Sequence, residues 1–362
     1  MSLALPANLL SHPFAFGWRM GSDLHLAWGS EESASGASFG LSFRGFHHPE
    51  TIKPEIWNFP PLGFCAPEHS LSLPAPPAGR LSALSLGENQ NFPDAAGWQT
   101  YCARIEGALE EGRLKKIVPA RRSSYSLSPD SRVRLGAELL PRILSGEADG
   151  TFRFFFKWKE QIFFGATPEL LFRLQENTWL VPAIAGTRAP RTPEEIPALE
   201  AELLVDAKER NEHELVVRGI KETLSALGLS PTAPAQPQIL RLRGLLHLYT
   251  PVTAPNRGLT SEQLRDALHP TAAVGGYPLW PAKSFLRWHE PWNRGLFASP
   301  LLFRRPGEEV CLVGIRSGLL SGDSLHLFAG AGYVQGSSAQ SEWLETRKKM
   351  DFLRRLLEEE LR

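Results

Sequence analysis

The stretch AKERNEHELVV, residues 207–217, sets Glu209, Glu212 and Glu214 beside His213 in a segment of helical character. Carboxylates so close repel, and either a bound cation or a solvated helix face must accommodate them. His213 followed by Glu214 invites comparison with the zinc motif H-E-x-x-H, but Val217 stands where the second histidine belongs, so that reading fails. A second acidic pair, Glu342 and Glu345 of QSEWLETRKKM, lies in the charged segment that closes the chain. Positions three apart share a helical face, so each segment presents two carboxylates in one direction. Glu345 lies four before Lys349, which lies three before Phe352, and Glu212 sits one turn before Leu215 and Val216. Both pairs therefore run toward apolar sides. Carboxylates about 4 Å apart at a dielectric near 20 repel by about 4 kcal/mol, a cost that a divalent cation reverses. Oxygen donors without a Cys or His cluster favour magnesium over zinc. Two wet helix faces remain the competing account at this point.

The elements that must position these residues follow from periodicity. Residues 1–93 alternate short apolar runs (FAFGW, LHLAWG, FGLSFRGF) with Gly, Pro and Ser, a pattern of strands and loops, and LPAPPAGR (73–80) is the best internal joint. From Asp94 onward Trp98, Cys102, Ile105 and Leu109 fall at helical spacing, and LKKIVPARRSSYSL after them reads as one strand. TFRFFFKWKEQIFFGATPELLFRL and TWLVPAIAGT form a strand-rich block, and residues 194–228 read as the longest helical segment, stopped at GLS. Thr260 and Gln263 make a capping box. EVCLVGIRSGLLSGDSLHLFAGAGYV predicts a hairpin turning at Gly322-Asp323, and a helix from about Ala339 to Leu361 ends the sequence. The mixture predicts an α+β fold, large antiparallel sheets flanked by helices, with a β-rich part over 1–93 and a core over 94–362.

Composition narrows the function. Lys plus Arg equals Asp plus Glu at 39 each in 362 residues, so no net field draws the chain to nucleic acid or anionic lipid. Small-metabolite chemistry fits that balance. The three cysteines, Cys65, Cys102 and Cys311, are far apart and odd in number, which suits a reducing compartment. With no basic leader and no apolar run of membrane length, a cytoplasmic protein without membrane contact is expected.

Two other motifs lack their context. GASFG (36–40) matches a nucleophile elbow at Ser38, but polar SEESAS precedes it and strand-like LSFRGF follows. AGAGYVQG has Gln335 in the place of the third glycine of a dinucleotide loop, and no βαβ unit follows. The ten tryptophans have no accompanying basic stripe and read as packing residues.

KERNEHELV and SEWLETRKK resemble the two magnesium-binding helices of the chorismate-utilising enzymes, the family of isochorismate, salicylate, anthranilate and aminodeoxychorismate synthases. The resemblance runs in order over about residues 97–350 through KIVPAR (116–121), FGATPELLF (164–172), AIAGTR (183–188), LHLYT (246–250), LHPTAAVGGYP (268–278), VGIRSG (313–318) and AGAGYV (329–334). It implies the anthranilate synthase-like fold, with chorismate as substrate and Mg2+ as cofactor. Glu212 and Glu345 match direct metal ligands, and Glu209 and Glu342 match carboxylates that reach the ion through water. Arg316 and Lys349 match groups holding the substrate carboxylates, the arginine by its two-pronged fork. Gly332 matches a position where backbone N–H groups approach the same anion. Thr187, His247 and Thr271 match pocket residues near the ring, with a satisfied strand histidine the alternative for His247. His213 reads as supporting rather than catalytic.

Within the resemblance, ammonia-using branches carry Gln where this chain has Lys116, and water-using branches carry Lys. Water needs a base, and a lysine serves only when neutral. Strand alternation would put Lys116, Val118 and Ala120 on one face and turn Lys115 to solvent. Glu169 resembles the general acid that protonates the departing 4-hydroxyl. The implied reaction is chorismate to isochorismate, for menaquinone or siderophore synthesis, by a monomer needing no glutaminase subunit. Salicylate synthase, which goes on to eliminate pyruvate, is the alternative, and a non-enzymatic metabolite-binding protein is the rival from another class. Two departures stand out: Pro119 removes a ladder N–H, and GLFASPLLF (295–303) lacks the family's usual Gly after its Ala.

Overall fold

Apolar runs buried on one or both faces build the sheets. The structure, a computed structural model, describes residues 86–358 apart from 132–134, 136–138, 140–142, 145–149, 189 and 243–244. N-terminal to these it describes strands β1 (Phe14–Met20), β2 (Asp23–Gly29), β3 (Gly40–Arg44), β4 (Leu62–Cys65) and β5 (His69–Pro74). Ser38 and residues 75–80 of the expected joint lie outside the described residues. Next come β6 (Asn89–Phe92), helix α1 (Ala95–Glu110), β7 (Lys116–Ile117) and β8 (Ala120–Ser126). β9 (Phe152–Trp158), β10 (Gln161–Thr167), β11 (Leu170–Gln175) and β12 (Thr178–Arg188) lead to helices α2 (Ile196–Val205) and α3 (Ala207–Ala226). There follow β13 (Gln238–Leu242), β14 (Leu245–Pro255), α4 (Ser261–Leu268), β15 (Gly276–Tyr277) and α5 (Leu279–His289). β16 (Pro300–Arg305), β17 (Glu308–Val313), β18 (Ser317–Ser321), β19 (Ser324–Gly330), β20 (Tyr333–Val334) and α6 (Ala339–Glu358) complete the order.

Three antiparallel sheets result, confirming the α+β expectation. One runs β5-β2-β1-β9-β10-β18-β19-β8-β6, the second β13-β14-β12-β11-β17-β16-β3-β4, and the third β15-β7-β20. Phe16, Trp18, Phe154, Phe156 and Phe163 of the first sheet share a core with Phe172, Trp179, Leu301 and Phe303 of the second. On the other face of the first sheet, Phe155, Phe164 and Leu327 pack with Met350, Leu353 and Leu357 of α6. That is why FRFFFKW is apolar at successive positions: both faces of β9 are covered. The N-terminal strands join the same sheets, β1 pairing with β9 and β3 with β16.

Several sequence expectations reappear: the Thr260–Gln263 capping box, the Ser321–Ser324 pairing across Gly322-Asp323, and the α1 start at Asp94, whose side chain accepts from Gly97 N. Two differ. LKKIVPARRSSYSL is two strands in two sheets rather than one. Pro119 offers no ladder N–H, so the chain leaves the small sheet after Ile117 and enters the large one at Ala120. Lys116, Val118 and Ala120 are all buried, but so are Ile117 and Pro119, so alternation does not explain them beyond Lys115, which is exposed. The long helical segment is broken at Asp206, whose extended backbone ends α2 and whose side chain caps α3 by accepting from Glu209 N at 3.0 Å.

Candidate active site

The chain crosses between sheets four times in one region, and the crossings are hydrogen-bonded in pairs. β10 passes to β11 through Pro168-Glu169, and β17 returns to β18 through 314–316. Val313 N donates to Glu169 O at 3.0 Å and Ala166 N donates to Arg316 O at 3.1 Å, so Glu169 and Arg316 sit on facing crossings. Arg316 has φ +46, outside the usual range for a side-chain-bearing residue. The second pair joins the small sheet to the nine-stranded one: β7 to β8 through Val118-Pro119, and β19 to β20 through Ala331-Gly332, with Ala331 N donating to Pro119 O at 3.1 Å. Lys116 lies just before the first of these crossings and Gly332 lies within the second.

Lys116 is 2% exposed and its Nζ donates to Glu212 Oε1 of α3 at 2.6 Å. This neighbouring amine holds the Glu212 carboxyl below the usual carboxylate range. A Cβ on Gly332 would lie 3.4 Å from Lys116 Cε and 3.5 Å from Glu212 Oε1, so the glycine leaves space beside this pair. Burial pushes the half-buried Glu169 up to about 7, against the opposing pull of Lys116, Lys349 and Arg316. A carboxyl there is substantially protonated at neutral pH and can donate.

On the eight-stranded sheet Thr187 and His247 are directly opposite across β12 and β14, next to a bulge at Gly186, φ +76. His247 Nδ1 lies 3.2 Å from Gly186 O and 3.0 Å from Thr187 Oγ1. The Gly186 carbonyl can only accept, which assigns the proton to Nδ1. Nε2 is buried with no hydrogen-bond partner, and burial, then Arg316, brings the imidazole down to about 4, so it is a neutral acceptor. Thr271 anchors a turn: its carbonyl accepts from Gly275 N at 2.8 Å, and Gly275 O accepts from Val118 N at 3.0 Å, next to Lys116.

The acidic residues separate into different environments. Glu214 is exposed, the solvated face. Glu209 accepts from Thr187 N at 3.1 Å through Oε2 and from Arg188 Nη1 at 3.0 Å through Oε1. Glu345 pairs with Lys349 at 2.7 Å, both half-exposed, and Lys349 also donates to Gly330 O at 3.0 Å. Glu342 is buried, with Oε2 unpartnered; burial, then repulsion from Glu345, pushes it up to about 7. His213 is held by Thr250 Oγ1 at 2.7 Å from Nε2 and is brought down to about 4 by burial, a supporting position.

Among the described residues, no three His, Cys, Asp or Glu side chains close round one point as a ready metal cluster. The donors present nonetheless fit magnesium. All are carboxylates, and the buried, unpartnered Glu342 oxygen is the kind of acceptor that a hydrated cation satisfies, magnesium needing only one or two protein carboxylates.

Sequence reasoning missed Arg188, which binds Glu202 at 3.0 Å, Asp206 at 2.6 Å and Glu209 at 3.0 Å and so fixes the start of α3 against β12. Its signal was available as the last residue of AIAGTR. The partners of Arg294, from α5 to the Lys116 strand, were not legible.

Residues 75–358 match the family described as "Chorismate binding enzyme". The chain belongs to the chorismate-binding enzymes. A curated relative in this family, "Salicylate biosynthesis isochorismate synthase" of Pseudomonas aeruginosa, is 34% identical over 265 residues, 72% of this chain and 54% of that protein. The chain thus spans about half that relative's length. In fold it is similar to MenF, the menaquinone-specific isochorismate synthase of Escherichia coli, with TM-score 0.80, 24% identity, and coverage of 98% of this chain and 92% of that one. It is also similar to anthranilate synthase component I of Streptococcus pneumoniae, with TM-score 0.73, 18% identity, and coverage of 97% and 91%. At these identities the solved structures establish the shared chorismate-enzyme fold. No described helix is long and apolar enough to cross a membrane.

Proposed function

We propose that this protein is a magnesium-dependent isochorismate synthase that adds water at C2 of chorismate and releases the hydroxyl from C4. The observation that carries the reading is Lys116: a buried amine beside Glu212 and Gly332, within electrostatic reach of the Glu169 carboxyl. The 34% identical relative whose name is an isochorismate synthase supports the same choice.

Chorismate carries two carboxylates, and Arg316 and Lys349 are the cations assigned to them, the guanidinium binding with two parallel N–H groups. Thr187, His247 Nε2 and Thr271 contact the ring and its hydroxyl. Lys116 takes a proton from water as the water oxygen bonds to C2, and the double bonds shift. The C4–O bond breaks while protonated Glu169 gives its proton to the leaving oxygen. One water enters and one leaves, so the product is an isomer. Glu212 and Glu345 directly, and Glu209 and Glu342 through water, are assigned to magnesium, which when bound supplies positive charge to a substrate carboxylate. Water chemistry needs no ammonia, and so no glutaminase subunit. Residues 94–362 are assigned to the chorismate-binding core and 1–93 to the variable part.

Purified protein incubated with chorismate and magnesium should yield isochorismate by chromatography. Anthranilate or an aminated product would overturn the reading, and salicylate with pyruvate would move the protein to the salicylate synthases.

A further inference from the structure

The segment at the end of α5, HEPWNRG (289–295), runs from exposed His289 to buried Arg294, which lies against the end of β7 and the turn before β15. Arg294 and Glu290 are both buried, Arg294 with no exposed surface at all. Glu290 receives both Nε at 2.8 Å and Nη2 at 2.7 Å, so the guanidinium is fixed in plane by a two-pronged contact. Its remaining reach goes to two carbonyls. Nη2 donates to Val118 O at 2.6 Å and Nη1 donates to Val274 O at 3.0 Å. Val118 is two residues beyond Lys116, and Val274 lies in the turn that begins at Thr271.

The Lys116 strand needs this attachment. The paired part of β7 is Lys116–Ile117 only, and Pro119 prevents its continuation. Beyond it the carbonyls are held individually: Val118 O by Arg294, Pro119 O by Ala331 N at 3.1 Å, and Ala120 O by Trp292 Nε1 at 3.1 Å. On the β15 edge, the same side as Arg294, Gly276, φ +144, packs so close that a Cβ would come 2.4 Å from Lys116 O. Past its two paired residues the strand is held at Val118 through both backbone groups, the N–H by Gly275 O at 3.0 Å and the carbonyl by Arg294 at 2.6 Å. Arg294 thus supplies one of the two bonds that fix the end of the lysine strand.

The geometry points to Arg294 as a positioning residue for Lys116: clamped by Glu290, it ties the strand that carries the amine to the turn that carries Thr271. Lysine at 294 keeps the charge but is a single-point donor that cannot serve the carboxylate and both carbonyls in one plane. The inference rests on Lys116 being the base, and the two are separable. Lys116→Ala alone tests the reading, and full turnover in that variant would remove the reading itself.

Given an impaired Lys116→Ala, the test is a cycle of Arg294→Lys in both backgrounds, by kcat and KM for chorismate, with magnesium present and folding checked by melting. The expected result is a kcat about 10–100-fold lower in the wild-type background, as for a misplaced catalytic group, with KM raised less than about 3-fold. In the Lys116→Ala background the same substitution should cost less than about 2-fold, because the group it positions is gone. Equal losses in both backgrounds, or kcat within about 2-fold of wild type, would overturn the inference. If Arg294→Lys does not fold, Glu290→Asp replaces it. That variant draws the clamp back by one methylene, and the same non-additive pattern with Lys116→Ala is expected, additivity again counting against the inference.

Discussion

Lys116 Nζ and Glu212 Oε1 stand 2.6 Å apart although the two residues are 96 positions apart, one on a two-residue strand and the other on a twenty-residue helix. The contact joins the amine assigned to the water to the acidic helix assigned to the cation. Lys115 offers the contrast. Its side chain is exposed while its backbone N–H is fixed to Tyr277 O at 2.8 Å. Lys116→Ala should therefore lose about 10²–10⁴-fold in kcat, the effect of removing a general base, while Lys115→Ala stays within about 2-fold of wild type. Steady-state turnover of the two variants decides it; the reverse order would mean that the base is misassigned.

Glu169 gives a pH prediction in stability as well as in rate. Its carboxyl lies near 7 in the folded protein against an ordinary 4.5. Between those values the folded chain holds the proton and the unfolded chain does not, so stability falls as pH rises from about 4.5 through about 7. Glu169→Gln has nothing to titrate there. Its melting temperature relative to wild type should climb across that window, while kcat is about 10²-fold lower or worse because an amide donates no comparable proton. Wild-type turnover should decline above about pH 7. Melting curves of the pair at several pH values check the first part, and parallel curves would place the shifted proton elsewhere.

The candidates for this site were legible in the sequence as residue types in recognisable runs, because chemistry constrains residue type more tightly than position in space. Glu212, Glu345, Glu169 and Arg316 each stand in a run whose neighbours resemble the family's motifs and so mark it as a candidate. The exposure of Lys115 against the burial of Lys116 was also foreseen, though from a continuous strand that Pro119 in fact divides. What could not be read were contacts between distant segments: Asp206 dividing the long helix, Arg188 holding Glu209, and Arg294 reaching back to Val118. The acidic quartet is likewise uneven in a way spacing does not reveal. Glu342 is buried with an unpartnered oxygen, whereas Glu345, at the same helical spacing as its counterpart Glu212, is half-exposed and paired with Lys349.

The metal assignment predicts a variant that folds but does not turn over. Glu345 is half-exposed, so Glu345→Gln should melt near the wild-type temperature. Its turnover should nevertheless fall about 10²-fold or more, and magnesium binding by calorimetry should weaken with it. Wild-type activity should vanish in chelator and return with magnesium but not with calcium, whose longer bonds displace the substrate carboxylate. Full activity of metal-free protein would contradict this assignment.

The central claim is that water, activated by Lys116, becomes the new hydroxyl of the product. Turnover of chorismate in ¹⁸O-labelled water with magnesium, followed by mass spectrometry of the product, measures it directly. The account predicts isochorismate with the label in its C2 hydroxyl and, even with added ammonium, no aminated product. An aminated product, or isochorismate whose C2 oxygen is unlabelled, would contradict it.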